Sequence, residues 1–253
     1  MRSFILLLGL VFSPLHAAKA AVIQFQSTPA TAALLELFTS EGCSSCPPAE
    51  AWLARLKDDA RLWKEFVPVA FHVDYWDGLG WKDPFAKAAF TDRQRRYAAE
   101  WRGSSVYTPG FVWNGAEWRE WFQRESLPRV SSADAGVLAA SSADGTTWAI
   151  RFTPNGAARR AFTAHVALLG FDLAVQVKAG ENRGRELKHD FVALALAETR
   201  LTQDGGVWRG ESKLNPKPGL IPKRTALAAW VTAEALMQPV QSVGGWLPTA
   251  KAP

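Results

Sequence analysis

The chain has 253 residues, 29 basic and 24 acidic, and a formal net charge of +5. Without Arg2 and Lys19 it carries 27 basic and 24 acidic residues, a net of +3 spread evenly, and no dense Lys/Arg block argues for nucleic acid. Two cysteines in so long a chain exclude a disulfide-framed miniprotein, because about 233 residues can bury a sizeable core in one domain or two modest ones.

Met1 and Arg2 give a basic start, residues 4–12 an apolar run, and Ala18 to Ala20 a small-residue cleavage pattern. That order predicts a secretory signal peptide over residues 1–20, cut after Ala20. The run is too short to span a bilayer, and Ser13–Pro14 interrupts it. The expected compartment is the periplasm or the exterior, with no membrane contact after cleavage. That places the cysteines in oxidising surroundings.

Residues 32–39 read as a buried central strand, and residues 47–59 as a helix opened by Pro47–Pro48 with Trp52, Leu53 and Leu56 on one face. Residues 65–76 read as a second strand, parallel to the first through that helix. Residues 83–101 predict a helix capped by Asp83 with Pro84 in its first turn. Asn114–Gly115 predicts a hairpin within 105–121, and residues 131–141 a closing helix. After residue 142, strand-like runs alternate with Gly, Pro, Asn and Asp, which reads as a mostly antiparallel β-sandwich. The expected division is residues 31–141 as an α/β domain and 142–250 as a β-rich domain.

Cys43 and Cys46, in the CxxC "CSSC", fall where the first strand meets the helix N-terminus. There the helix dipole favours thiolate, making Cys43 a nucleophile and Cys46 the resolving thiol of a reactive pair. As a staple the pair is weak, since closing four residues contributes roughly 2 kcal/mol. As a metal clamp, two thiolates half-fill a tetrahedral site. His72, His165 and His189 stand at no ligand spacing, so no metal set is assigned, although a copper carrier using Cys43, Cys46 and His72 stays open.

Six of twelve tryptophans lie between Trp76 and Trp121. In residues 74–84, Trp76, Asp77 and Trp81 either form a lip that selects a partner peptide or belong to a packed loop. Arg93, Arg96 and Tyr97 either bind an anion or form a solvated basic face. Glu181, Asn182 and Arg185 either dock the second half onto the first or decorate a charged hairpin.

Thr108–Pro109, just before the predicted hairpin, resembles the cis-proline loop of the thioredoxin fold. More narrowly, residues 36–53, 70–85, 90–98, 106–115 and 180–192 occur in the order seen in DUF1223, a family of secreted thioredoxin-like bacterial proteins without an assigned function, and the chain resembles that family. The resemblance implies an α/β thioredoxin-like domain followed by the β-sandwich, with Thr108–Pro109 cis, packed on the CxxC and pairing with an extended substrate. Gly42 stands where thioredoxin has tryptophan, and Leu37 where it has a buried acid, leaving Glu41, His72 or Asp74 as candidate proton carriers. The function expected is thiol–disulfide oxidoreduction on protein thiols or disulfides, with no cofactor. The competing reading is a non-enzymatic binding protein with a structural CxxC disulfide.

Overall fold

The apolar run around Glu36 sets the centre of the molecule. In the computed structural model, which describes residues 21–248 except 124–125, 131–132, 157–159, 221 and 223, this run forms a strand buried along its whole length. The expected signal peptide lies outside the described residues. The strands are β1 (Ile23–Gln26), β2 (Ala33–Thr39), β3 (Phe66–His72), β4 (Gly110–Trp113), β5 (Ala116–Glu117), β6 (Gly136–Ser142), β7 (Thr147–Pro154) and β8 (Phe162–Gly170). They continue with β9 (Leu173–Gln176), β10 (Glu186–His189), β11 (Val192–Arg200), β12 (Thr202–Asp204), β13 (Val207–Lys213), β14 (Thr225–Ala233) and β15 (Pro239–Trp246). The α-helices among the described residues are α1 (Pro47–Ala54) and α2 (Ala88–Glu100). None is long and apolar enough to cross a membrane.

An eight-stranded sheet runs in the order β15-β14-β8-β11-β3-β2-β4-β5, a five-stranded sheet in the order β1-β6-β7-β13-β12, and β9 pairs with β10. Strand β2 is parallel to β3, and β11 is parallel to β3 at Val192–Ala70. Strands β8 and β14 are covered on both faces, and alternate residues enter different cores. Ala167, Leu169, Ala226, Ala228 and Trp230 join the core that holds the helices; Val166, Leu168, Leu227, Ala229 and Val231 join the core against the five-stranded sheet.

This corrects the expected fold class. Among the described residues strand occupies 43% and helix 14%, in three sheets, so the fold is mostly β and not an α/β thioredoxin-like domain followed by a β-sandwich. The physical reason is that β8, β11, β14 and β15 extend the sheet begun by β2 and β3, while β6, expected in the first domain, joins β7 and β13 of the second, with β1 on its other edge. The closing helix expected over 131–141 is replaced from Gly136 by β6, whose side chains alternate between buried and half-buried, a period of two. The second helix starts at Ala88 and not near Asp83, with Lys87 at its N-cap position. Asp83 is held elsewhere, by His72 and the Glu41 N–H. The hairpin forms as expected, Asn114 (φ 46°) and Gly115 (φ 89°) both adopting the left-handed region that a tight primed turn requires.

Candidate functional site

Strand β2 ends at Thr39, and the chain turns through Ser40–Cys46 into α1. Cys43 and Cys46 form a disulfide with Cα atoms 5.5 Å apart. The helix begins at Pro47, so Cys46 is its N-cap and Cys43 precedes it by most of a turn. Pro47 and Pro48 carry no N–H, and the Ala49 and Glu50 N–H groups both donate to Cys46 O at 2.9 and 3.1 Å. The start of α1 therefore offers fewer free donors to a thiolate than the sequence pattern suggests. Cys43 Sγ lies 3.3 Å from Ser45 Oγ. Both cysteines are 0% exposed, while Ser44 and Ser45 between them are exposed.

The turn is fastened from the distant half of the chain. Asn182, fully buried, donates from Nδ2 to Glu41 O at 2.8 Å and to Cys43 O at 3.0 Å, and Glu181 accepts the Ser44 N–H at 3.0 Å. Arg185 donates to Asn182 Oδ1 at 2.7 Å. The stretch around Glu181, Asn182 and Arg185 is thus a clasp on the CxxC loop. Arg93 is not part of a solvated basic face: it is fully buried, with Nε 2.7 Å from Glu36 Oε1 and its guanidinium over Phe71, Tyr97 and Trp230. Arg96 pairs with Glu198 near the surface.

Thr108–Pro109 is a cis peptide. Trp76 donates from Nε1 to Thr108 Oγ1 at 2.8 Å, tying the tryptophan loop to the proline loop. Trp81 donates to Glu41 Oε2 at 2.6 Å, and Asp77 accepts the Asp83 N–H at 3.1 Å. Partial burial pushes the Asp77 carboxyl upward. An apolar cleft of about 530 Å³ runs beside these loops, lined by Ser45, Pro109, Phe111, Trp118, Trp121 and Phe122 among others. Trp76 and Trp81 do not line it. Phe122 is 65% exposed.

Glu41, in the turn that carries Cys43, belongs to a buried charged cluster that sequence spacing does not reveal. His189, from β10, has Nδ1 against Glu50 Oε2 and Nε2 3.1 Å from Glu41 Oε1. Glu50 also accepts from Thr39 Oγ1 at 2.6 Å. His72 contacts Asp83 Oδ2 through Nδ1 at 2.6 Å, and its ring meets that of His189 at 5.1 Å between centroids. Burial disfavours charge on His72, His189, Glu50 and Asp83, and opposite charges outweigh it. Against burial, the Glu50 and Glu41 carboxylates push the His189 imidazole up to about 10. His72 is raised by Asp83, and Asp83 and Glu50 are lowered by their histidine partners, each against burial. Of the proton carriers considered from sequence, Glu41 and His72 belong to this cluster, whereas Asp74 accepts from Thr91. Sequence reasoning misses Glu50, whose only signal is its place one turn of helix beyond Cys46, and it sets His189 aside for want of ligand spacing, since nothing local ties it to Glu41 or Glu50.

No curated protein matches the chain. Among solved structures, protein AGR_C_4864 from Agrobacterium tumefaciens is similar over 88% of this chain and 97% of its own, at 24% identity and a TM-score of 0.54. HBP35 of Porphyromonas gingivalis is similar over 90% of this chain and 80% of its own, at 14% identity and a TM-score of 0.57. At these identities the likeness shows a shared fold alone. The model of a family described as "Protein of unknown function (DUF1223)" matches residues 34–232, and the chain belongs to that family.

Proposed function

We propose that the chain is an exported thiol–disulfide exchange protein acting on other proteins through Cys43 and Cys46. The observation that carries this reading is that Ser45, inside the CxxC, and Pro109 line one apolar cleft. A peptide lying in that cleft meets Ser45, the residue before Cys46, with Trp118, Trp121 and Phe122 to take its apolar side chains. Export rests on the N-terminal leader pattern.

In the oxidising direction, a partner thiolate attacks Cys43 Sγ. The Cys43–Cys46 bond breaks and Cys46 leaves as a thiolate that takes up a proton. A second partner thiolate then attacks its own sulfur in the mixed disulfide and releases Cys43 as a thiolate. Two electrons pass from the partner dithiol to the pair, and reduction of a partner disulfide is the reverse. Once Cys43 is a thiolate, the Ser45 hydroxyl 3.3 Å away is positioned to donate to it. Because both sulfurs are covered, attack requires the Ser44–Ser45 turn to give way.

That same full burial favours a second reading, in which the bond is a structural cross-link. A folded, oxidised full chain mixed with a reduced two-cysteine peptide bearing apolar flanks separates the two. Exchange predicts stoichiometric peptide oxidation, and a mixed disulfide through Cys43 with reduced Cys46→Ser and the peptide disulfide. A cross-link predicts no reaction until the chain is denatured.

A further inference from the structure

We propose that His72, His189 and Glu50 form a buried site for a divalent transition metal, zinc foremost, separate from the cysteines. One ligand atom from each of the three lies within 4.8 Å of the others. Zinc bonds of about 2.0–2.1 Å set tetrahedral ligand atoms roughly 3.4 Å apart, so side-chain tips need move by at most about 1.4 Å. Two imidazoles and one carboxylate are a zinc-type ligand set that leaves a further position open.

The independent observation is at His72. The residue is fully buried, Nδ1 is engaged by Asp83, and Nε2 has no hydrogen-bond partner. A buried imidazole nitrogen without a partner is costly to leave bare, and a metal ion is one group that satisfies it. Each proposed ligand also has an outer partner of the kind metal sites use. Asp83 orients His72, Glu41 holds His189 Nε2, and Thr39 donates to Glu50 Oε1. With His189 Nε2–H kept on Glu41, Nδ1 is the nitrogen that faces Glu50 and takes the metal. The ion has a way in: a cleft of about 410 Å³ is lined by Glu50 and His189 together with Pro47, Ala51, Arg185 and Lys188. The competing account is a metal-free ion-pair cluster.

The test uses the full chain, stripped with chelator and with its disulfide intact, so it is independent of whether the cysteines exchange. Titration with zinc chloride should show one ion per chain. His72→Gln should weaken binding by more than about 100-fold, beyond the roughly 10–100-fold expected for the outer-partner change Asp83→Asn. His165→Gln, at a buried histidine outside the cluster, should leave binding unchanged. Cobalt in place of zinc should give the visible bands of a four-coordinate nitrogen and oxygen site without a sulfur-to-metal charge-transfer band. No zinc uptake by the wild-type chain overturns the proposal, as does unchanged affinity in His72→Gln or a cobalt spectrum showing thiolate. If His72→Gln fails to fold, Asp83→Asn and the cobalt spectrum decide.

Discussion

Raising the pH should unlock the buried histidine–carboxylate cluster, and His189 carries most of the effect. An imidazole lifted from 6.5 to about 10 on folding contributes stability that is complete below 6.5 and lost as pH rises through the folded value. At about 1.4 kcal/mol per pH unit, the linkage is about 5 kcal/mol in total, of which about 4 kcal/mol is lost between pH 6.5 and about pH 9.5. His72, also raised, adds to the alkaline loss. On the acid side the signs reverse. Glu50 and Asp83 are lowered, so their contribution is present above their ordinary values of 4.5 and 3.8 and lost as pH falls. Burial holds His165 down to about 4, so stability also falls as pH drops from 6.5 toward that value. The metal-free chain should therefore be most stable near pH 6.5. Urea unfolding followed by tryptophan fluorescence checks this across the range. His189→Gln should be less stable than wild type at pH 6.5 and show a much shallower alkaline decline, leaving the part due to His72. A wild-type profile flat to within about 1 kcal/mol up to about pH 9.5, or an equally steep decline in His189→Gln, refutes the reasoning.

Three further outcomes are expected. Arg93→Met strands the buried Glu36 carboxylate and should cost about 3–5 kcal/mol in denaturant unfolding, most of it recovered when Glu36→Leu is added; an equal loss in the double variant contradicts the pairing. A Cβ on Gly42 would lie 2.8 Å from Trp76 Cβ, so Gly42→Ala should displace Trp76 from Thr108, cost about 1–3 kcal/mol and slow exchange with a peptide. Phe122→Ser removes a ring able to bury about 1.5–3 kcal/mol against a bound peptide. It should raise the peptide KM about tenfold or more while leaving reaction with glutathione unchanged, and equal effects on both would remove the cleft from the substrate path.

The parts of the fold legible in the sequence were those whose signals are local. The buried run of β2, the prolines opening α1, the strand at β3 and the turn at Asn114–Gly115 each follow from neighbouring residues. What was not legible depends on pairing between distant segments. Nothing near Val192 announces that it lies beside Ala70 in a parallel pair, and that pairing joins strands of the two expected domains in one eight-stranded sheet. Asp83 shows how a tertiary partner overrides a local rule: a good helix cap by sequence, it is drawn instead to His72. At the site, CSSC and Thr-Pro stand out by motif. The cluster does not, because Glu50 and His189 are 139 residues apart and meet only when β10 packs beside α1.

The most direct measurement is the redox equilibrium of the folded full chain against glutathione, with Cys46→Ser reporting the Cys43 thiol. Exchange chemistry predicts a potential between about −270 and −120 mV, as in disulfide oxidoreductases, and a thiol titrating below the free value of about 8.5. A potential below about −300 mV with an unshifted thiol would contradict it and make Cys43–Cys46 a structural bond.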